Sequence, residues 1–258
     1  MATHNANVLP VNYRLDEYVI QSVLGQGGFG ITYLARDARL GALVAVKEYF
    51  PQAYAERDRT QTIRPNTRGG KDDAENYRWG LQEFLKEARA LAQFKHPNIV
   101  RVLRFLEANG TAYMVMEYEE GESLSGHLGR HGGFLAEPAL LGIFLPVLNG
   151  LQAVHDAGLL HLDIKPDNIY LRRSGQPMII DFGAARQRSG SDRSEKIALT
   201  PGYAALEQYP GYGDLGAWSD VYSMGATLYR CITGREPMDS RERERAMKKL
   251  RVDPNIPA

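Results

Sequence analysis

The sequence contains one cysteine, Cys231. One thiol cannot close an internal disulfide, which excludes the disulfide-stapled secreted scaffolds. Its setting, Leu228-Tyr229-Arg230-Cys231-Ile232, suits a small buried hydrophobe, and a reducing, cytoplasmic compartment is expected. An excess of charge of either sign is also missing, because 31 Lys and Arg residues balance 31 Asp and Glu. A neutral chain has no basic surplus to drive binding to nucleic acid or to an anionic membrane. No hydrophobic run is long and unbroken enough to read as a bilayer span. The longest apolar stretch, residues 134–154, is interrupted by Glu137, Pro138, Pro146, Asn149 and Gln152, and a buried amphipathic helix is expected there. Residues 1–6 lack the basic and apolar parts of a signal peptide. There is no internal repeat or low-complexity tract. At 258 residues the chain suffices for one large domain or two lobes with a sizeable core.

The densest chemistry lies in His161-Leu162-Asp163-Ile164-Lys165-Pro166-Asp167-Asn168, followed by Asp181-Phe182-Gly183. Asp163 can accept a proton from an attacking hydroxyl, and Lys165 can reach a transferred phosphoryl group. Asn168 and Asp181 can hold a divalent cation between them. Pro166 stiffens the loop, and Met178-Ile179-Ile180 reads as a buried strand delivering Asp181. Asp163 and Asp181 would repel if brought together without a cation.

Upstream, a strand over residues 18–24 breaks into Gly25-Gln26-Gly27-Gly28-Phe29-Gly30 and resumes as Ile31-Thr32-Tyr33-Leu34-Ala35. Such a hairpin can close its backbone over phosphates. Ile-Thr-Tyr-Leu is poor helix material, which argues against the strand-to-helix turn of a dinucleotide fold. Val44-Ala45-Val46-Lys47 reads as a buried strand that presents one lysine. Residues 84–91 carry a helical period, with Glu87 beside the apolar face of Phe84, Ala88 and Leu91. The forty residues between Lys47 and Glu87 include a polar run of mixed charge, residues 52–78. A surface insertion is expected there, with a regulatory or partner-binding face as the sharper alternative. Ala112-Tyr113-Met114-Val115-Met116-Glu117-Tyr118 then passes into Glu119-Glu120-Gly121-Glu122, marking a connection between lobes. Residues 140–158 are expected to form a long helix.

In this order and at this spacing the motifs resemble those of the protein kinase superfamily, over roughly residues 14 to 237. Gly-Phe-Gly-Ile-Thr-Tyr together with Lys-Glu-Tyr-Phe-Pro resembles the bacterial, eukaryote-like serine/threonine kinases. The resemblance implies an α+β, two-lobed fold: an N-lobe of antiparallel sheet with one main helix, and a mostly helical C-lobe. Residues 1–13 would be a loose lead-in and 14–258 the kinase domain. Within that domain, 14–117 would form the N-lobe with its insertion, 118–121 the hinge, and 122–258 a C-lobe lacking its last helices. ATP with Mg²⁺, or Mn²⁺ as an alternative, is the implied cofactor pair, and a protein Ser/Thr hydroxyl the acceptor. No nucleic acid and no membrane span are implied.

By the same resemblance Gly25, Gly27, Gly28 and Gly30 cover the phosphates, and Lys47, paired with Glu87, orients them. Thr32, where valine is usual, caps the adenine face. Ala45 and Tyr170 sandwich the base, Tyr170 standing where an aliphatic residue is usual. Met116 backs the pocket, and the backbone of Glu117 and Tyr118 meets the adenine edge. Asp163 aligns the acceptor, Lys165 favours Ser/Thr chemistry, and Asn168 and Asp181 hold the metal. Thr200 is expected to bond Asp163 and Lys165; Ser189, Ser191, Ser194 and Thr200 are candidate autophosphorylation sites. His161 would pack beneath Phe182, and His155 would be a packing or surface residue. Asp220 would cap its helix and accept bonds from the catalytic-loop backbone. Ala205-Leu206-Glu207 stands where Ala-Pro-Glu is usual. The arginine that normally pairs with Glu207 is not evident, so an unpaired buried carboxylate is expected. The rivals are a pseudokinase scaffold and a small-molecule kinase, and the segment from Thr200 to Glu207, with Asp220, speaks against the second.

Leu162 occupies the position where many kinases carry an arginine that reads an activation-loop phosphate, and leucine cannot do so. Activity should therefore survive phosphatase treatment; loss on treatment with recovery in a phosphomimetic variant would contradict this.

Overall fold

The computed structural model describes residues 7–66, 70–182, 186–187, 199–251 and 253–255. Ser189, Ser191, Ser194 and Gly183 lie outside the described residues, as do residues 1–6. The chain divides into two compact units, residues 1–95 with 100–118, and residues 96–99 with 119–258.

The first unit is built on an antiparallel sheet in the order β1-β2-β3-β4-β8-β7. Its strands are β1 (Arg14–Leu15), β2 (Tyr18–Gln26), β3 (Gly30–Asp37), β4 (Leu43–Tyr49), β7 (Val102–Ala108) and β8 (Thr111–Glu117). Between β4 and β7 come a short hairpin, β5 (Ala55–Arg57) with β6 (Ile63–Pro65), and one long helix, α1 (Gly70–Leu91). Strand alternation places Ile31, Tyr33, Ala35, Val46, Glu48, Tyr113 and Val115 on one face, and all are buried. The opposite face, which carries Ala45, Lys47 and Tyr49, meets α1, where Tyr49 packs against Tyr77 and Phe84. Phe84, Leu85, Ala88 and Leu91 are the buried side of that helix.

Two expectations for this unit need correction. The polar run over residues 52–78 is not simply a surface insertion. Ala55, Ile63 and Tyr77 are buried, the hairpin covers sheet residues, and α1 already begins at Gly70. The lead-in is also less loose than expected from residue 7 onward. Leu9 is buried and donates its N–H to the Tyr33 hydroxyl, and Asn12 N–H pairs with the Ile20 carbonyl.

The second unit contains β9 (Gly121–Ser123), α2 (Leu124–Arg130), α3 (Glu137–Asp156), β10 (Leu159–Leu160), β11 (Ile169–Arg172), β12 (Pro177–Ile179), β13 (Arg186–Gln187), α4 (Ala217–Thr233) and α5 (Ser240–Leu250). β12, β11 and β9 form a small antiparallel sheet, and β10 pairs with β13. Ser123 caps α2 by accepting from the Gly126 N–H. α3 begins three residues before expectation, with Pro138 in its first turn where no N–H is missed. Its length and mean hydropathy of 1.3 would suit a bilayer, but Ile143, Phe144, Val147, Leu151 and Val154 are buried in protein. It is not wholly buried, as Leu141, Leu145 and Leu148 are exposed along one stripe.

Gly80 of α1 abuts the Tyr49 hydroxyl so closely that an added Cβ would overlap it. Although alanine is the better helix former, Gly80→Ala should destabilise by about 1–3 kcal/mol through overpacking. Urea unfolding should show that penalty shrinking in a Tyr49→Phe background.

Candidate active site

In the first unit the register gathers the expected nucleotide-binding residues. Thr32 lies opposite Lys47, Lys47 opposite Met114, and Ala45 opposite Met116. Lys47 Nζ is 3.8 Å from Glu87 Oε1, both largely buried, and lies 5.9 Å above the Phe84 ring. β4 and α1 thus bring together the lysine and acid separated by forty residues. Gly25 pairs with Thr32, and the turn closes through Gly27 N–H to the Gly30 carbonyl at 2.9 Å. No side chain crowds Gly25, Gly27 or Gly28, leaving the backbone open to approach. Met116 is buried. The Glu117 N–H is taken by the Arg101 carbonyl at 3.0 Å, which narrows the expected adenine contacts to the remaining backbone groups of Glu117 and Tyr118.

In the second unit the segment from His161 to Asn168 is held from three sides. The Asp220 carboxylate, fully buried in α4, accepts the N–H groups of His161 at 2.9 Å and Leu162 at 2.7 Å. It does not cap its own helix, because the N-cap is Gly216, whose N–H meets Ser219 Oγ. His155 Nε2 lies 2.7 Å from the same carboxylate, so this histidine is a polar partner of Asp220 as well as a packing residue. Leu162 is buried with φ of 62°, a left-handed conformation that a leucine keeps only when its surroundings dictate it. Its carbonyl accepts from Gln208 Nε2 at 2.8 Å, and Gln208 Oε1 takes the Ala205 N–H.

Asp163 follows directly, and its carboxylate is densely bonded. Thr200 Oγ1 donates to Oδ1 at 2.7 Å, Asn168 Nδ2 to Oδ2 at 2.9 Å, and Lys165 Nζ lies 2.8 Å from Oδ2. Lys165 also donates to Thr200 Oγ1 at 2.8 Å. Thr200 therefore makes both contacts expected of it. The β11–β12 pairing sets Asn168 beside the end of β12, where the Ile180 N–H donates to the Asn168 carbonyl at 2.9 Å. Asp181 comes next, exposed and with φ of 58°. Phe182 is buried, its ring 4.4 Å from that of His161. Tyr170 donates its hydroxyl to the Glu119 carbonyl at 3.1 Å.

The donor set fits a hard cation. Asn168 spends its N–H groups on Asp163, so its oxygen is the atom it can offer, and Asp181 adds a carboxylate. No cluster of three His, Cys, Asp or Glu suited to a metal occurs among the described residues.

Glu207 differs from expectation. It is half-buried and accepts from Ser219 Oγ at 2.7 Å, so the hydroxyl of the residue just before Asp220 serves where an arginine was sought. Reading the sequence also missed Gln208 and the buried stripe Ser219, Ser223 and Thr227, which recurs every four residues on α4. Polar residues at helical spacing inside an apolar helix were the available signal.

The protein kinase domain model matches residues 18–256, and the chain belongs to this family. Its fold is the two-lobed α+β kinase fold. It is 33% identical over 229 residues to serine/threonine-protein kinase pkn2 of Myxococcus xanthus, covering 84% of this chain and 24% of that protein. Serine/threonine-protein kinase PknK of Mycobacterium tuberculosis is 35% identical over 227 residues, 87% of this chain and 18% of the relative. The chain thus spans a quarter or less of these relatives' length. Among solved structures, the apo form of PpkA-294 superposes with a TM-score of 0.80 at 35% identity, covering 96% of this chain and 89% of the other.

Burial holds the His161 imidazole below its ordinary range, and Nδ1 accepts the Asp163 N–H, so the ring is neutral with its proton on Nε2. A histidine with a depressed folded pKa leaves the unfolded chain binding more protons as pH falls below about 6.5, so stability should decline there. The stability gap between the native chain and His161→Gln, measured by denaturant unfolding, should narrow between neutral and mildly acidic pH. A gap independent of pH would contradict the assignment.

Proposed function

We propose that this chain transfers the γ-phosphoryl group of ATP to a serine or threonine hydroxyl of a protein, in the cytoplasm. The observation that carries this is the Asp163 carboxylate, fixed by Lys165, Thr200 and Asn168 within a segment pinned by Asp220. Asp163 is aimed by these donors, and it orients the acceptor hydroxyl and takes its proton. Lys47, held by Glu87, steadies the donor phosphates, and the open glycine backbone from Gly25 to Gly30 covers them. In the first unit Thr32, Ala45 and Met116 would meet the base, with the backbone of Glu117 and Tyr118 along its edge. Asn168 and Asp181 would hold Mg²⁺, which when bound neutralises charge on the phosphates. The engagement of Thr200 with Asp163 and Lys165 supports Ser/Thr acceptors. Thr200 is also the one candidate autophosphorylation residue among those described, and its hydroxyl donates to Asp163.

Incubation with ATP and Mg²⁺ followed by phosphopeptide mass spectrometry should reveal transfer to Ser or Thr. Asp163→Asn should lower the rate by about 10²–10⁴-fold while leaving the melting temperature close to that of the native chain. A variant with near-native turnover would remove Asp163 from the reaction.

A further inference from the structure

On the face of β4 away from Lys47 lies a set of buried polar groups that phosphoryl transfer does not use. Glu48 Oε2 accepts from Tyr33 Oη at 2.8 Å and from Arg57 Nη2 at 2.5 Å. Neither charged side chain of this pair is exposed at all. Arg57 is the last residue of β5, in the hairpin inserted between Lys47 and Glu87. Its Nε donates to the Asn7 carbonyl at 3.0 Å and its Nη1 to the Gln61 carbonyl at 3.1 Å. The Leu9 N–H completes the set on Tyr33 Oη at 3.1 Å. One guanidinium therefore ties the lead-in, the hairpin and β4 together, and Tyr33 adds β3.

A buried ion pair is weak evidence for stability, because desolvation offsets much of the attraction. The planar fork of an arginine does fix geometry, and here the fixed part is the end of β4. Lys47 immediately precedes Glu48. The Arg57 guanidinium also lies 5.2 Å above the Phe50 ring. Phe50 N–H in turn donates to the Phe29 carbonyl at 3.0 Å, and Gln52 N–H to the Gly28 carbonyl at 3.3 Å. At Gly30 the backbone runs so close to the Glu48 carbonyl that a Cβ would overlap it. The outer part of the glycine turn is exposed, so residues 48–52 are what it rests on.

We propose that Arg57 is a positioning residue for nucleotide binding: by clamping Glu48 and Phe50 it sets both the Lys47 ammonium and the glycine turn. The insertion then works inward on the phosphate-binding strand rather than outward as a docking face. The inference rests on the reading that Lys47 and the glycine turn hold ATP, and the test separates the two.

Mg–ATP affinity and melting temperature are measured on the full chain for Arg57→Met, Glu48→Gln/Arg57→Met, Arg57→Lys and Lys47→Met. Arg57→Met should weaken Mg–ATP binding about tenfold, the scale of a small misplacement of binding groups. The double variant leaves no unpaired buried charge, so it should recover most of the melting temperature while its affinity stays about tenfold low. Recovery of both together would overturn the inference, since the pair would then serve folding alone. If neither methionine variant folds, Arg57→Lys, which keeps the charge and loses the fork, is read by the same criterion. Native affinity in Lys47→Met would sink the reading of Lys47 itself. Loss of affinity in Lys47→Met beside native affinity in a folded Arg57 variant would sink the Arg57 inference only.

Discussion

One buried carboxylate organises the second unit. Asp220 has no solvent exposure, and its two oxygens receive consecutive backbone N–H groups from His161 and Leu162. A buried carboxylate is tolerable only when its lone pairs are filled, so α4 and the loop must come together. That requirement pushes Leu162 into a left-handed conformation, which Gln208 then holds through the Leu162 carbonyl. Leu162 is thus bonded at both its N–H and its carbonyl, and Asp163 leaves it in a defined direction. The stripe of Ser219, Ser223 and Thr227 follows the same logic. Ser223 and Thr227 turn their hydroxyls back onto the α4 backbone, and Ser219 bonds Glu207, so a polar helix face is buried without orphaned groups.

The first unit solves a different problem, because its sheet is covered on both faces. Lys47 and Glu87 meet on one face, Glu48 and Arg57 on the other. Adjacent residues of β4 thus carry opposite charges to opposite sides, as the period of two demands. Placing a charge on each side of one strand leaves β4 little freedom to slip in register, since a one-residue shift would exchange Lys47 with Glu48 or Val46 and strand both acids.

The segment proposed to carry the chemistry was legible because its residues are nearly consecutive: a loop of eight carries Asp163, Lys165 and Asn168, and a strand of three precedes Asp181. The Lys47–Glu87 pairing was legible from a strand and a helical period at a distance. Arg57 was not, since a single arginine in a run of mixed charge looks solvated, and its burial comes from Glu48, Tyr33 and Asn7, which no local pattern connects. The start of α1 at Gly70 was hidden for a similar reason: its first two turns are polar, and among the side chains described there only Tyr77 is buried. Ser219 as the partner of Glu207 was masked by the expectation of an arginine, although a hydroxyl suffices for a half-buried carboxylate.

The packing around Asp163 constrains how an acceptor can enter. A carboxylate offers about four acceptor positions. Thr200 and Lys165 donate to Oδ1, while Asn168 donates to Oδ2 and Lys165 approaches it too. On the proposed role of Asp163, an incoming hydroxyl would therefore have to displace a donor. Asn168 is fixed by its second bond to the Asp163 carbonyl at 2.8 Å, and Thr200 belongs to a turn whose carbonyl accepts the Tyr203 and Ala204 N–H groups. Lys165 is the donor with a flexible stem and two oxygens to leave. Its move from the aspartate toward an arriving phosphoryl group would open the position that the hydroxyl needs and carry positive charge to the place where negative charge gathers. Under the role proposed for Asp163, that single side-chain movement would couple acceptor entry to charge placement.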